Sequence, residues 1–232
     1  MRRMLISMLF IMALLAAPFA AAEEPGVIVQ SSCSIVQSGD YYLVYCFAQV
    51  HNESGSIICL EQGSYELHDG EQILSTEEVS QIWPYFIAPG EDGYLFDIVS
   101  FEPDENGPVM PHVTGITYDI EYMTVNVEHA SFALEAETEL AMDARNNLTV
   151  ICRLTNPTDI DAFDPTVAFG LYTQTGGMIY ADGMTLKDVG VPAGGSVLVR
   201  FDVDEMFVNQ WAEFGAEPDH VKVNAAFRAD SD

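Results

Sequence analysis

Basic side chains are the scarcest feature of this chain of 232 residues. It carries 8 Lys and Arg against 36 Asp and Glu, for a formal net charge of −28, and no Lys or Arg stands between Arg3 and Arg145. Binding to phosphate backbones or anionic lipid depends on clustered Lys and Arg, so nucleic acid is excluded as a partner. Charged residues are few as a class, 19% against 49% hydrophobic, which sets the chain apart from disordered acidic proteins. Such a sequence buries enough apolar surface to offset the entropy lost on folding. Catalytic signatures are missing as well. There is no Gly-rich phosphate loop or dinucleotide turn, no His-Glu-x-x-His helix, no Gly-x-Ser-x-Gly elbow and no Cys-x-x-Cys pair. His51, His68, His112, His129 and His220 are dispersed, with no Cys-His signature among them, so the chain is expected not to be an enzyme and to need no cofactor.

One long apolar run is present, from Met4 to Ala17. Met1-Arg2-Arg3 precedes it, and Pro18-Phe19-Ala20-Ala21-Ala22 leads from it to the acidic switch Glu23-Glu24-Pro25. A charged start, an apolar centre and small residues before a polar switch describe a secretory signal peptide over 1–22. The run is shorter than the roughly 20 apolar residues a spanning helix needs, so no transmembrane span is expected in the mature form. The expected location is secreted or extracytoplasmic, in a periplasm or at a cell surface. Removing 1–22 takes Arg2 and Arg3 with it and moves the formal charge from −28 to −30.

Beyond Glu23 the chain alternates apolar and polar residues over short runs, as in Tyr42 to Ala48, Thr117 to Tyr122 and Ser196 to Phe201, separated by Gly, Pro, Asn and Asp. These are strand signals. Ala133 to Ala144 is rich in Ala, Glu and Leu, yet Leu134, Ala136, Thr138, Leu140 and Met142 also fit period two, and the surroundings favour a strand. The expected class is all-β: antiparallel sandwiches of short strands.

The sequence also repeats itself at an offset slightly above 100 residues. Val44 to Asn52 echoes Val150 to Asn156, and Tyr65-Glu66-Leu67-His68-Asp69 echoes Phe169-Gly170-Leu171-Tyr172-Thr173. Ala88-Pro89-Gly90 echoes Pro192-Ala193-Gly194, Phe96-Asp97-Ile98 echoes Phe201-Asp202-Val203, and Pro111-His112-Val113 echoes Pro218-Asp219-His220-Val221. Each copy has the size of one immunoglobulin-like sandwich. The expected organisation is a signal peptide over 1–22, one sandwich over 23–128 and a second over 129–232. The boundary falls near Val127-Glu128-His129, with no flexible linker.

These residues carry a resemblance. Each copy resembles the FxLYD domain, a small immunoglobulin-like sandwich of extracytoplasmic bacterial and archaeal proteins. In that family a Phe-x-Leu-Tyr-Asp strand leads into a Gly turn, and a later Pro-Gly turn precedes a Phe-bearing strand. The second copy has Phe169-Gly170-Leu171-Tyr172 with Thr173 in the Asp place, and the first keeps Leu67 and Asp69 with Tyr65 and His68 in place of Phe and Tyr. The resemblance implies tandem surface sandwiches and carries over no catalytic residue or cofactor. Period two sends Phe169 and Leu171 to one face and Gly170 and Tyr172 to the other, so the first pair is expected in the core. Asn52, Asn156 and Asp69 are expected to close turns through neighbouring backbone.

Four cysteines in an exported chain suggest disulfides. A two-residue hairpin turn at Gly39-Asp40 sets Ile35 opposite Val44, Cys33 opposite Cys46, Ser31 opposite Ala48 and Val29 opposite Val50, all on one face. Cys33–Cys46 is therefore the preferred bridge, Cys46–Cys59 remains open, and Cys59 and Cys152 are expected to be buried thiols. For a metal the best candidate is the loop Asn156 to Pro165, where Asp159, Asp161 and Asp164 could converge on calcium, and a weaker second is Asp104-Glu105-Asn106-Gly107. Aromatic clusters at Trp83-Pro84-Tyr85-Phe86 and at Trp211 with Phe207 and Phe214 are candidate glycan platforms. The expected function is an exported, non-enzymatic cell-envelope or extracellular interaction module with an unknown protein or glycan partner. A calcium- or glycan-binding adhesion module is the alternative, and a loop-built hydrolase comes third. The charge alone makes one prediction: melting temperature should rise from low to moderate NaCl, because screening weakens repulsion among unpaired carboxylates, and a flat or falling curve contradicts it.

Overall fold

The computed structural model describes residues 27–105, 107–125, 131–143 and 147–228. The signal-peptide segment 1–22 and the boundary at Val127-Glu128-His129 lie outside the described residues. Among the described residues strands make up 65%, with one short helix, so the all-β expectation holds. Among the described residues no helix is long and apolar enough to cross a membrane.

The first group of strands is β1 (Val27–Ser38), β2 (Tyr41–His51), β3 (Ile57–Asp69), β4 (Gln72–Glu78), β5 (Ile82–Trp83), β6 (Asp92–Phe101) and β7 (Gly115–Val125). One antiparallel sheet runs β1-β2-β6-β5 and another β4-β3-β7. Val44, Ala48 and Val50 on β2 meet Ile58, Tyr65 and Leu67 on β3 and Leu95 and Val99 on β6 in one apolar cluster, so the two sheets face each other.

The second group is β8 (Phe132–Ala133), β9 (Glu135–Met142), β10 (Leu148–Thr155), β11 (Ala162–Phe163), β12 (Thr166–Thr173), β13 (Met178–Thr185), β14 (Gly190–Val191), β15 (Ser196–Val203), α1 (Glu205–Phe214) and β16 (Pro218–Phe227). Its sheets run β15-β10-β9 and β13-β12-β16-β8, with β11 and β14 as a separate pair. The order repeats that of the first group, β9-β10-β15 matching β1-β2-β6 and β13-β12-β16 matching β4-β3-β7. Registers repeat too: Val44 opposes Val99, and Leu148 opposes Val203. Within the Ala133 to Ala144 window, Glu135–Met142 is a strand and not a helix, as its surroundings suggest.

Two buried asparagines make the repeat visible at atomic detail. Asn52 Nδ2 donates to the carbonyls of Ser56 and Ile87 at 2.8 and 2.9 Å, and its Oδ1 accepts from the N–H and hydroxyl of Ser54 at 2.9 and 2.7 Å. Asn156 Nδ2 donates to Ile160 and Val191 at 2.8 and 3.0 Å, and its Oδ1 accepts from the N–H and hydroxyl of Thr158 at 3.1 and 2.7 Å. Both side chains are fully buried, and each pins a loop to a residue just before the Pro-bearing turn. Asp69 differs from the expectation. Its carboxylate lies 2.9 Å from His112 Nδ1, so it ties two loops together instead of closing its own turn.

The Gly39-Asp40 hairpin sets Ile35, Cys33 and Ser31 opposite Val44, Cys46 and Ala48, as read from the sequence. Val29 is the exception: the register shifts between Ile28 and Gln30, so Ile28 faces Val50 and Val29 bulges outward. A bulge adds one residue to one strand and throws it off the shared face. Register also corrects one sequence echo. Asp97 opposes Cys46 as Phe201 opposes Val150, so the counterpart of Phe201 is Asp97, not Phe96. With period two, a one-residue slip sends a side chain to the opposite face.

The two groups of sheets are packed on each other. Tyr45 and Phe47 point away from the first core into the second, with Tyr45 4.8 Å from the Phe207 ring and Phe47 5.1 Å from the Tyr180 ring. Phe169 and Leu171 enter the second core, while Gly170 and Tyr172 face the seam. A Cβ at Gly170 would sit 2.6 Å from the Tyr94 ring, and one at Gly183 2.6 Å from Trp83 Cβ, so neither place admits a side chain. Polar ties cross the seam: Tyr172 donates to Gln49 Oε1 at 2.9 Å, Gln210 Nε2 to the Ile35 carbonyl at 2.6 Å, and the Met178 N–H to Gln30 Oε1 at 2.8 Å. Helix α1 supplies much of the apolar contact through Phe207, Val208 and Trp211. Its start is capped by Asp204, whose carboxylate accepts from the Met206 N–H, and Gly215 ends it in the left-handed conformation at φ 67°.

Two predictions follow from this geometry. Asn52→Ala and Asn156→Ala should each cost about 2–4 kcal/mol in urea unfolding, because each removes the hydrogen bonds of a fully buried side chain, and a cost under about 1 kcal/mol at either site contradicts the matched roles. Cys33 and Cys46 are direct partners with free thiols in the structure. Non-reducing peptide mapping of the exported protein should recover them linked, and two alkylatable thiols there would remove the bridge.

Candidate functional site

The most distinctive surface feature is a cleft of about 330 Å³ at the edge of the seam, lined from both groups of sheets. The first group contributes Pro84, Tyr85 and Phe86, which follow β5. The second contributes Phe163 of β11 with Asp164, and Arg228 just after β16. Tyr85 is 52% exposed and Phe163 61%, an unusual pair of open rings in one concavity. Tyr85 stands edge-on to Phe86 with centroids 4.9 Å apart, and the Arg228 guanidinium lies 5.3 Å from the Phe86 centroid.

Backbone geometry holds the opposite wall. Phe163 pairs with Gly190 on β14, where an added Cβ would sit 3.4 Å from its ring, in ordinary contact. Asp164 has a φ of 45°, and its Oδ1 accepts from the Asp188 N–H at 2.6 Å. The carboxylate is therefore a fixed acceptor beside the ring. Thr166 and Thr185 add hydroxyls to the floor.

Asp159, Asp161 and Asp164 are not brought together as a calcium site. Asp161 accepts from the Ala193 N–H at 2.9 Å while Asp164 accepts from Asp188, so the two carboxylates serve different stretches of backbone. Among the described residues no group of three or more His, Cys, Asp or Glu is arranged to hold a metal ion. In the weaker candidate loop, Asp104 and Gly107 exchange backbone hydrogen bonds across a tight turn. The tryptophans are not open platforms either. Trp211 is 4% exposed and stacks on buried Phe207, and Trp83 is half-buried against Gly183. Of the aromatic residues singled out from sequence, the open rings are Tyr85 and Phe214.

Phe163 and Arg228 escaped the sequence reading, although a signal for each existed. Phe163 is a large apolar residue between two turn carboxylates, where packing predicts none, and Arg228 is one of eight basic residues in the chain. Helix α1 also escaped it, despite Asp204 at its start and Gly215 at its end.

The cysteines are moved away from nucleophilic character. Burial pushes the thiols of Cys33, Cys46 and Cys59 above their ordinary range and that of Cys152 up to about 11. A reactive thiol requires the opposite shift. Burial likewise raises the carboxyls of Asp97, beside Cys46 and Tyr65, and of Asp182, which accepts from the Gly183 N–H at 2.7 Å and from the Tyr180 hydroxyl.

No protein-family model matches the chain, and no curated protein matches it. One solved structure, red sea bream transglutaminase, is similar over 77% of this chain and 27% of that one, at 13% identity and a TM-score of 0.22. The chain thus spans 27% of that protein's length, and a likeness so remote carries no argument about fold or chemistry.

Proposed function

We propose that the chain is an exported, non-enzymatic interaction module of a cell envelope or extracellular space. In this reading it consists of two tandem immunoglobulin-like sandwiches of FxLYD type, over 23–128 and 129–232, following a signal peptide. The observation that carries the proposal is the composition of the cleft. Its rings come from both groups of sheets, and those groups are locked by a shared apolar cluster and by buried hydrogen bonds. A surface assembled across such a seam is held in one geometry, so little conformational entropy is lost on binding. Loops presented by a rigid sheet scaffold are a common place for recognition, and open aromatic rings in a concavity commonly mark a binding surface.

Of the adhesion alternatives, the glycan reading is the one favoured by a specific feature, the exposed pair Tyr85 and Phe163. Fluorescently labelled exported protein should bind saturably to envelope fragments of its producing cell. The Tyr85→Ala/Phe163→Ala double variant should weaken that binding at least tenfold. Ile73→Ala, which removes a comparably exposed apolar side chain outside the cleft, should leave it unchanged. Absence of saturable binding, or equal loss in both variants, would sink the proposal.

A further inference from the structure

Resting on that reading, we infer that the seam cleft is a binding site for a neutral saccharide. Size gives the first bound. About 330 Å³ lies at the small end of ligand sites, which suits one or two sugar rings and is too small to accept a folded partner.

The lining gives the second. Tyr85 and Phe163 present flat apolar surfaces to solvent, the shape against which the C–H face of a pyranose packs. Around these rings stand a fixed acceptor, Asp164, held by the Asp188 N–H at 2.6 Å, and a donor, Arg228, held over the Phe86 ring at 5.3 Å. The hydroxyls of Thr166 and Thr185 complete the set. A sugar hydroxyl donates one hydrogen bond and accepts others, so it is satisfied by a neighbouring carboxylate and guanidinium together. A purely apolar ligand would cover the polar atoms of Asp164 and Arg228 without offering them a hydrogen bond.

Charge gives the third. The chain as a whole, at −28, repels anions, which disfavours an acidic glycan or a phosphorylated ligand. Arg228 already occupies the cation-binding face of Phe86, which disfavours a lysine- or arginine-rich peptide. A neutral polyhydroxyl ligand meets neither penalty.

Saturation-transfer NMR on the purified exported protein tests this with cellotriose, chitotriose, mannotriose and xylotriose as neutral probes and with trigalacturonate and trilysine as charged ones. At least one neutral trisaccharide should bind with a millimolar or tighter dissociation constant. Tyr85→Ala and Phe163→Ala should each weaken it at least tenfold, and their melting temperatures, taken alongside, should stay near that of the parent because both rings are exposed. Arg228→Ala should weaken the same probe. The saccharide assignment is overturned if no neutral probe binds, if binding survives Phe163→Ala, or if a charged probe binds more tightly. If envelope binding still depends on the cleft while no neutral probe binds, the saccharide falls and the interaction module stands. If envelope binding does not depend on the cleft, the module reading falls with it.

Discussion

Burial of strand β2 on both faces is the constraint from which the rest of the molecule follows. Val44, Cys46, Ala48 and Val50 fill one core while Tyr45 and Phe47 enter the other, and buried Gln49 finds its partner in the Tyr172 hydroxyl across the seam. Each large apolar side chain so buried contributes about 1.5–3 kcal/mol, so the seam is an energetic element of the fold and not a loose contact. Its closeness sets requirements elsewhere. Gly170 and Gly183 cannot carry a Cβ beside Tyr94 and Trp83, and Trp83, held there, delivers Pro84, Tyr85 and Phe86 to the rim opposite Phe163. The cleft is thus a by-product of how tightly the sheets approach.

The seam is also asymmetric. The face of β1-β2-β6 in the first group meets the face of β13-β12-β16 in the second, a heterologous pairing that would continue indefinitely if every copy carried both surfaces. Asn52 and Asn156 lie 104 positions apart, and the same offset carries Tyr45, Phe47 and Gln49 to Thr149, Ile151 and Arg153. Arg153 and Arg200 stand on that free face and lie 3.8 Å from Glu137 and 2.7 Å from Asp202. At the other end Gly170 and Tyr172 correspond to Glu66 and His68, which lie 3.4 Å apart on the free face of β3. Charges and charge pairs thus stand where the seam has rings and glycines, and burying such groups carries a desolvation cost.

Alternation and turn residues made the class and much of the register legible. Period two placed Phe169 and Leu171 inward, and Gly39-Asp40 aligned Cys33 with Cys46. The failures are equally physical. A bulge at Val29 has no signature in a pattern of residue types, and Phe96 and Phe201 look alike in sequence while facing opposite ways. The seam was invisible under an alternating reading of Tyr42 to Ala48, because a strand buried on both faces does not alternate and Tyr45-Cys46-Phe47 is one apolar run. For the same reason the cleft was only half readable: Tyr85 and Phe86 stood in a recognised aromatic cluster, whereas Phe163 lay in a loop searched for carboxylates. Which of two neighbouring groups a loop presents depends on tertiary pairing, here that of Phe163 with Gly190.

The shortage of cations shapes how the acidic side chains are accommodated. With 8 Lys and Arg against 36 Asp and Glu, carboxylates turn to imidazoles and to backbone N–H groups. His51 lies 2.8 Å from Asp92, and His112 2.9 Å from Asp69. Asp161, Asp164, Asp182 and Asp204 each accept from a backbone N–H, which satisfies the acceptor and stitches a turn without a positive side chain. Asp97 and Asp182 mark the limit of this solution, because burial raises both above their ordinary range despite their backbone partners. A carboxyl whose folded pKa exceeds its unfolded one binds its proton more readily in the folded state. The folded state therefore gains relative stability through these two groups as pH falls from neutrality through the raised values toward the unfolded value near 3.8, and loses it as pH rises. Dispersed carboxylates, bonded to their own turns, are in this way compatible with a chain that has almost nothing positive to pair them with.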